Sequence, residues 1–182
     1  MPKVDDKNLV WLDLEMTGLE PDKDFILEIA TVVTDSELNV LAEGPCLAIH
    51  QSDAVLDGMD PWCVDQHGKS GLTQRCRDSK VTVLDAQART LEFLSQWCAP
   101  GKSPLCGNTI GQDRRFLVKY MPRLHDFFHY RSIDVSTIKE LVKRWYPISA
   151  KYEYSKSKQH LSLADVHESI AEMLHYRKTV FK

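Results

Sequence analysis

Asp13 and Glu15 stand two apart in the run Leu9-Val10-Trp11-Leu12-Asp13-Leu14-Glu15. In a strand, residues two apart point to the same face, so both carboxylates emerge side by side from an otherwise apolar segment. Two such charges about 4 Å apart repel by roughly 4 kcal/mol at an effective dielectric of about 20. A central strand tolerates that repulsion only with a compensating cation, whereas an edge strand with a solvated acidic face needs none. The flanking Val10-Trp11-Leu12 is apolar for a free edge, and the two readings stand level. Further along, Asp113 lies in Asn108-Thr109-Ile110-Gly111-Gln112-Asp113-Arg114-Arg115-Phe116. Taken alone it is an acid in a first helical turn, where the helix dipole favours it. Asp165 ends His160-Leu161-Ser162-Leu163-Ala164-Asp165, where Ser162-x-x-Asp165 also fits a capping box; His160 alone reads as a solvated loop histidine. The chemistry within reach of such groups is hard-cation binding by carboxylate oxygens and proton transfer by an imidazole near neutral pH.

These residues need a scaffold, and the chain supplies recognisable parts. The first 50 residues read as strands: Leu9–Glu15, Ile26–Val33, and a third made of Val40–Ala42 and Cys46–Ile49 interrupted by Gly44-Pro45. Short, turn-rich connections predict an antiparallel meander. Helical periodicity follows. Asp60-Pro61 reads as an N-cap with proline at the first helical position, and Thr82-Val83-Leu84-Asp85 as a capping box. Behind that box Leu84, Ala88, Leu91, Leu94 and Trp97 form an apolar stripe. Pro104–Gly107 is a short strand, Gln112–Met121 a helix with Phe116, Leu117 and Tyr120 on one face, and Arg131–Val135 a fifth strand. A helix opening at Thr137 ends near Pro147. Ile148–Gln159 is polar, carries lysines and predicts a loop. A last helix begins near Ser162, with Leu163, Val166, Ile170 and Met173/Leu174 as its stripe. Strands first, then strands alternating with helices, predict a mixed sheet with helices packed on it.

The whole-chain numbers narrow the function classes. At 182 residues, 43% hydrophobic and 27% charged, the chain has the size of one domain and is too apolar and too balanced for global disorder. Its longest stretch without a charged residue, Ser103–Gln112, is ten residues, against about 20 apolar ones for a spanning helix. The net charge of −3 lacks the basic surplus of proteins that grip long nucleic acid, yet leaves room for a short nucleotide held by a few cations. Five cysteines at 46, 63, 76, 98 and 106, with no CxxC pair, fit reduced, mostly buried thiols. Together with an acidic start lacking an apolar segment, they predict a cytoplasmic protein.

In order and spacing, the acids on a first strand, N-x-x-x-x-D-x-x-F opening a helix, and H-x-x-x-x-D before the last helix resemble the three motifs of the DEDDh 3′→5′ exonucleases. The segments Trp11–Leu19, His67-Gly68-Lys69-Ser70-Gly71-Leu72, His129-Tyr130-Arg131, Asp134-Val135-Ser136 and Lys139-Glu140-Leu141 narrow the resemblance to the oligoribonuclease family. The resemblance runs from about Leu9 to Phe181. It implies one exonuclease domain over residues 1–182 with an RNase H-like α/β fold: a five-stranded mixed sheet, its first three strands antiparallel, flanked by helices. It implies that Asp13, Glu15, Asp113 and Asp165 hold two divalent cations, Mg²⁺ or Mn²⁺, with His160 as general base. Two such ions about 3.5–4 Å apart serve both ends of a phosphodiester displacement, and an imidazole of ordinary pKa about 6.5 can accept the water's proton.

The same resemblance implies very short RNA as substrate, especially 5′-phosphorylated dinucleotides, and no long double-stranded nucleic acid or membrane. Leu19 would wedge between the two bases, with Trp62 and His67 lining the pocket. Thr109, Arg131 and Ser136 would cap the 5′-phosphate, and Tyr130 would reach into the site of a second subunit of a homodimer. One departure is visible: in the last motif, often H-x-A-x-D-D, Ser162 and Ala164 stand where Ala and Asp are usual. Other patterns fail. Gly68-Lys69-Ser70 lacks the P-loop glycine, since position 63 is Cys, and His160 and His167 are too far apart for H-E-x-x-H. Trp145, Tyr146, Tyr152 and Tyr154 beside lysines suit a stacking surface or a helix-end core equally.

Overall fold

A computed structural model describes residues 3–149, 151–154 and 161–181. Its centre is β1 (Leu9–Met16), which pairs antiparallel with β2 (Ile26–Thr34) on one side and parallel with β5 (Leu105–Gly107) on the other. β3 (Val40–Glu43) extends the sheet beyond β2, and β6 (Ser132–Asp134) lies parallel beyond β5, giving the order β3-β2-β1-β5-β6. A sixth strand, β4 (Leu47–Ala48), pairs with β2 beside Glu28 and Ile29. The sequence predicts one interrupted third strand here. The structure makes two, separated by residues 44–46, where the Gly44 N–H donates to Thr31 O at 2.8 Å. A Cβ at Gly44 would lie 2.3 Å from Thr31 Oγ1, so only glycine permits that approach.

Four helices separate β4 from β5: α1 (Asp53–Asp57), α2 (Pro61–Lys69), α3 (Leu72–Asp78) and α4 (Val83–Leu94). Asp60 caps α2, accepting from Trp62 N at 2.8 Å and Cys63 N at 3.1 Å, and Thr82 with Asp85 closes the capping box of α4. The expected stripe on α4 holds at Leu91, Leu94 and Trp97, which pack into the core, and is displaced at its start: Leu84 is 69% exposed and Ala88 is exposed, while Ala86, Gln87 and Thr90 are buried. The displacement has a polar cause. The Gln87 carboxamide accepts from Arg123 N and Leu124 N at 2.9 and 3.3 Å, so a residue that hydropathy counts as surface turns inward. After β5 come α5 (Ile110–Tyr120) and α6 (Pro122–Phe127), and after β6 come α7 (Val135–Trp145) and α8 (Ser162–Thr179).

Strand alternation sorts the core into two sides. Val10, Leu12 and Leu14 of β1 pack with Phe116, Leu117 and Leu124 of α5 and α6. Trp11 points the other way, among Val135 and Val142 of α7 and Val166 and Ile170 of α8. Asp13 and Glu15 continue the Trp11 face, so the apolar packing that seats α8 on the sheet also brings the start of α8 over both acids. All five cysteines are free thiols and only Cys46 is exposed. Among the described residues, no helix is long and apolar enough to cross a membrane.

Candidate active site

β1 is flanked on both sides, which settles the first question about its acids: they sit on a central strand. Asp13 is opposite Ala30 in β2, and Glu15 is opposite Glu28. Asp165, in the first turn of α8, completes a trio whose carboxylate oxygens with Asp13 and Glu15 all lie within 4.8 Å of one another. Burial drives the Glu15 carboxyl up to about 8, and the charges of Asp165, Glu28 and Asp113 push the same way, while Arg75 opposes them. At neutral pH this group of acids holds a proton unless another positive charge replaces it.

Asp113 lies beside the trio and does a second job. β1 pairs with β5 only at Val10–Leu105 and Trp11–Cys106, and further along the Leu14 N–H donates instead to Asp113 Oδ1 at 2.9 Å. The carboxylate therefore pins the peptide between Asp13 and Glu15. Burial raises Asp113 to about 7, the Leu14 N–H pulls it back, and Asp134 adds to the rise. An all-oxygen donor set whose charges repel one another, set in a partly dry wall, suits hard divalent cations. His160 lies outside the described residues. The Ser162-x-x-Asp165 capping box is not formed: the N-cap of α8 is Leu161 without a side-chain cap, and the Ser162 hydroxyl donates to Glu28 Oε2. Asp165 is thereby left facing the other acids rather than folded back on its own helix.

A second group surrounds the start of α5. Thr109, its N-cap, has φ 53° and ψ 32°, a left-handed conformation that is an outlier for a β-branched residue. Its N–H donates to Asp134 Oδ1 and Ser136 Oγ, each at 2.9 Å, and its hydroxyl lies 3.1 Å from that of Ser136. Ser136 Oγ donates to Asn108 Oδ1 at 3.1 Å. The structure thus joins Thr109 to Ser136, whereas Arg131 lies over the Tyr130 ring, 5.0 Å from its centroid. Tyr130 is 72% exposed, and Arg114 donates to the carbonyls of His129 and Tyr130 at 2.8 and 3.3 Å.

Leu19 and Trp62 are exposed. The Leu19 carbonyl is fastened by Gln112 Nε2 and by Arg115 Nη1 at 3.5 Å. His67 is buried and its Nε2 donates to the Met16 carbonyl at 2.9 Å, so it ties α2 to the end of β1. Sequence reasoning assigned no role to Asp134, Arg114, Glu28 or Arg75. Asp134 and Arg114 stood inside segments that carry the resemblance, and Glu28 stood out as a lone acid inside the apolar run Ile26–Val33.

Residues 10–173 match the RNase T family model, described as exonuclease. The chain is 62% identical over 178 residues to the oligoribonuclease of Pseudoalteromonas atlantica, with 98% of each chain covered. The oligoribonucleases of Colwellia psychrerythraea and Vibrio cholerae are 61% and 60% identical, each with 97% of both chains covered. Among solved structures, E. coli exonuclease I in complex with an oligonucleotide superposes with TM-score 0.72 at 18% identity, over 96% of this chain and 41% of that one. The zinc-bound form of the same nuclease with single-stranded DNA gives 0.74 at 19% identity, over 94% of this chain and 40% of that one. The chain spans about two-fifths of those nucleases, and this likeness carries the fold alone. On the family model and its end-to-end relatives, the chain belongs to the oligoribonuclease family of 3′→5′ exoribonucleases.

Proposed function

We propose that the protein is one exonuclease domain that hydrolyses short oligoribonucleotides from the 3′ end, above all 5′-phosphorylated dinucleotides, releasing mononucleotides in the cytoplasm. The observation that carries this reading is the convergence of Asp13, Glu15 and Asp165 within 4.8 Å, with Asp113 alongside. These four acids would hold two divalent cations, Mg²⁺ or Mn²⁺, which when bound offset charge on the attacking and leaving oxygens. In the reaction a water oxygen bonds to phosphorus, the bond from phosphorus to the 3′ oxygen breaks, and that oxygen takes up a proton from solvent to leave as the 3′-hydroxyl of the remaining 5′-phosphorylated nucleotide. His160 takes the water's proton. Asp113, through the Leu14 N–H, fixes the spacing of Asp13 and Glu15.

The rest of the site selects length. Leu19 wedges between the bases, and the exposed Trp62 offers a stacking face. His67 holds the Met16 carbonyl and with it the wall of the pocket. Thr109 and Ser136 meet the 5′-phosphate with Arg131, whose guanidinium suits phosphate. Tyr130 extends from the surface toward the site of a second subunit in a homodimer. The test is a length series of 5′-phosphorylated RNAs with Mg²⁺ and with EDTA. The dinucleotide should be cleaved fastest, and chelation should stop all cleavage. Equal or faster cleavage of a strand about 20 nucleotides long, well beyond what a few phosphate contacts span, would reassign the protein to trimming of long single strands.

A further inference from the structure

Glu28 lies directly across the ladder from Glu15 and is 1% exposed. A buried carboxylate next to further acids is costly unless charge and hydrogen bonds compensate it. Two groups do so. Arg75 Nη1, from α3, donates to one Glu28 oxygen, and Ser162 Oγ, from the first residue of α8, donates to the other. Ser162 is fully buried. The three residues thus connect α3, β2 and α8 through a single carboxylate, one cross-strand position away from Glu15.

The connection matters because of where α8 starts. Its N-cap Leu161 offers no side-chain cap, so among the described residues the first turn lacks the usual means of holding a helix end. The hydroxyl bond from Ser162 to Glu28 ties that turn to the sheet instead. Asp165 sits in the same turn, its N–H on the Leu161 carbonyl at 2.9 Å, about 4.5 Å along the axis at the usual rise per residue. If the tie were released, Asp165 would shift against Asp13 and Glu15, which are fixed in the central strand. The charges are matched as well. Arg75 is 42% exposed at its side chain and sits in an open cleft of about 430 Å³ that it shares with Ala164 and His167. Its guanidinium pairs with Glu28 and partly offsets the charge that this carboxylate places across the ladder from Glu15.

We propose that Ser162, Glu28 and Arg75 form a latch that positions Asp165 against Asp13 and Glu15 and thereby sets the affinity of these acids for divalent cations. It rests on the reading of the three acids as a cation site. The residues of the latch touch neither substrate nor ion; they are positioning residues.

The experiment is calorimetric titration of the intact, RNA-free protein with Mn²⁺, alongside thermal denaturation without metal. Ser162→Ala should weaken Mn²⁺ binding by about tenfold, the lower end of what loss of an outer partner of a metal ligand costs. Glu28→Gln should weaken it at least as much, since it leaves the Arg75 charge uncancelled beside Glu15. The double variant should bind like Glu28→Gln alone, because both changes act through one carboxylate. Thr82→Ala removes the capping box of α4, far from these acids, and serves as the control: it should lower thermal stability and leave Mn²⁺ affinity unchanged. If Ser162→Ala only lowers stability, as Thr82→Ala does, the latch is a structural tie and the proposal falls while the cation site stands. If the wild-type protein takes up no Mn²⁺, both fall together.

Discussion

The acids around Asp13 and the corner around Thr109 flank the same β1–β5 edge, yet each is strained in its own way. The acidic group holds electrostatic cost: Glu15 is driven up to about 8 by burial and by three neighbouring acids, with Arg75 opposing. The Thr109 corner holds backbone cost: a β-branched residue with φ 53°, kept there by bonds of 2.9 Å from its N–H to Asp134 and Ser136. The first kind of strain is relieved by adding charge from outside and so responds to ions and pH. The second is relieved only by changing the residue, and so persists under all ionic conditions, as a preformed surface should.

The comparison breaks most visibly at the acids. Asp13→Ala or Asp165→Ala should lower turnover of a dinucleotide by about a thousandfold or more, the several kcal/mol that charge stabilisation by bound ions supplies. The circular dichroism should stay native. A variant that keeps near-normal turnover would remove that carboxylate from the site.

Acidity sharpens the same contrast. The folded carboxyl of Glu15 stands above its ordinary value of 4.5, at about 8, so between those values the folded chain holds a proton that the unfolded chain has released. In the absence of metal, this group should therefore cost no stability below its ordinary range and should destabilise progressively as the pH rises toward about 8. Divalent cations compete with that proton, so Mn²⁺ should raise the melting temperature more at about pH 8 than at about pH 6. Equal shifts at the two pH values would mean that the acids are not the binding groups.

How far this was legible from sequence differs between the two regions for the same physical reason. Asp13 and Glu15 are local: the strand period alone puts them on one face, and the apolar run around them left edge and central placement level. Asp165 was visible as a spacing, but its capping-box reading failed, because the Ser162 hydroxyl went to Glu28, 134 residues away in sequence. No local pattern encodes such a partner. The Thr109 corner was legible only as hydroxyl residues. Its left-handed backbone depends on Asp134 arriving from β6, and nothing in the Asn108–Phe116 motif announces a positive φ at a threonine. The strands were readable from hydropathy, as was the later part of the α4 stripe, while its start was not, since buried Gln87 counts as polar until its partners on α6 are known.

Trp62 tests whether exposure near the site is functional. It is 58% exposed in the first turn of α2, so its removal opens no cavity and should leave stability within about 0.5 kcal/mol. If the ring stacks on a base, Trp62→Ala should raise KM for a dinucleotide by about tenfold with kcat little changed, within the range expected for one base–aromatic contact. An unchanged KM would return this side chain to the ordinary surface.

The smallest effect probes the corner itself. Thr109 is exposed, and its N–H, not its side chain, donates to Asp134. Thr109→Gly keeps that donor and removes the Cβ that makes φ 53° costly, whereas Thr109→Ala keeps the Cβ and removes only the hydroxyl and methyl. Left-handed backbone costs an L-residue about 1–2 kcal/mol, and glycine loses about 0.5–1 kcal/mol more chain entropy on folding than alanine. The glycine variant should therefore be the more stable of the two by about 0.5–1 kcal/mol in denaturant titration, reversing the usual order of these residues. Both lack the hydroxyl, so any rise in KM for 5′-phosphorylated over unphosphorylated dinucleotide should be the same in each. Equal stabilities would show that the corner is relaxed, and the contrast with the acids would then be one between a strained site and an ordinary turn.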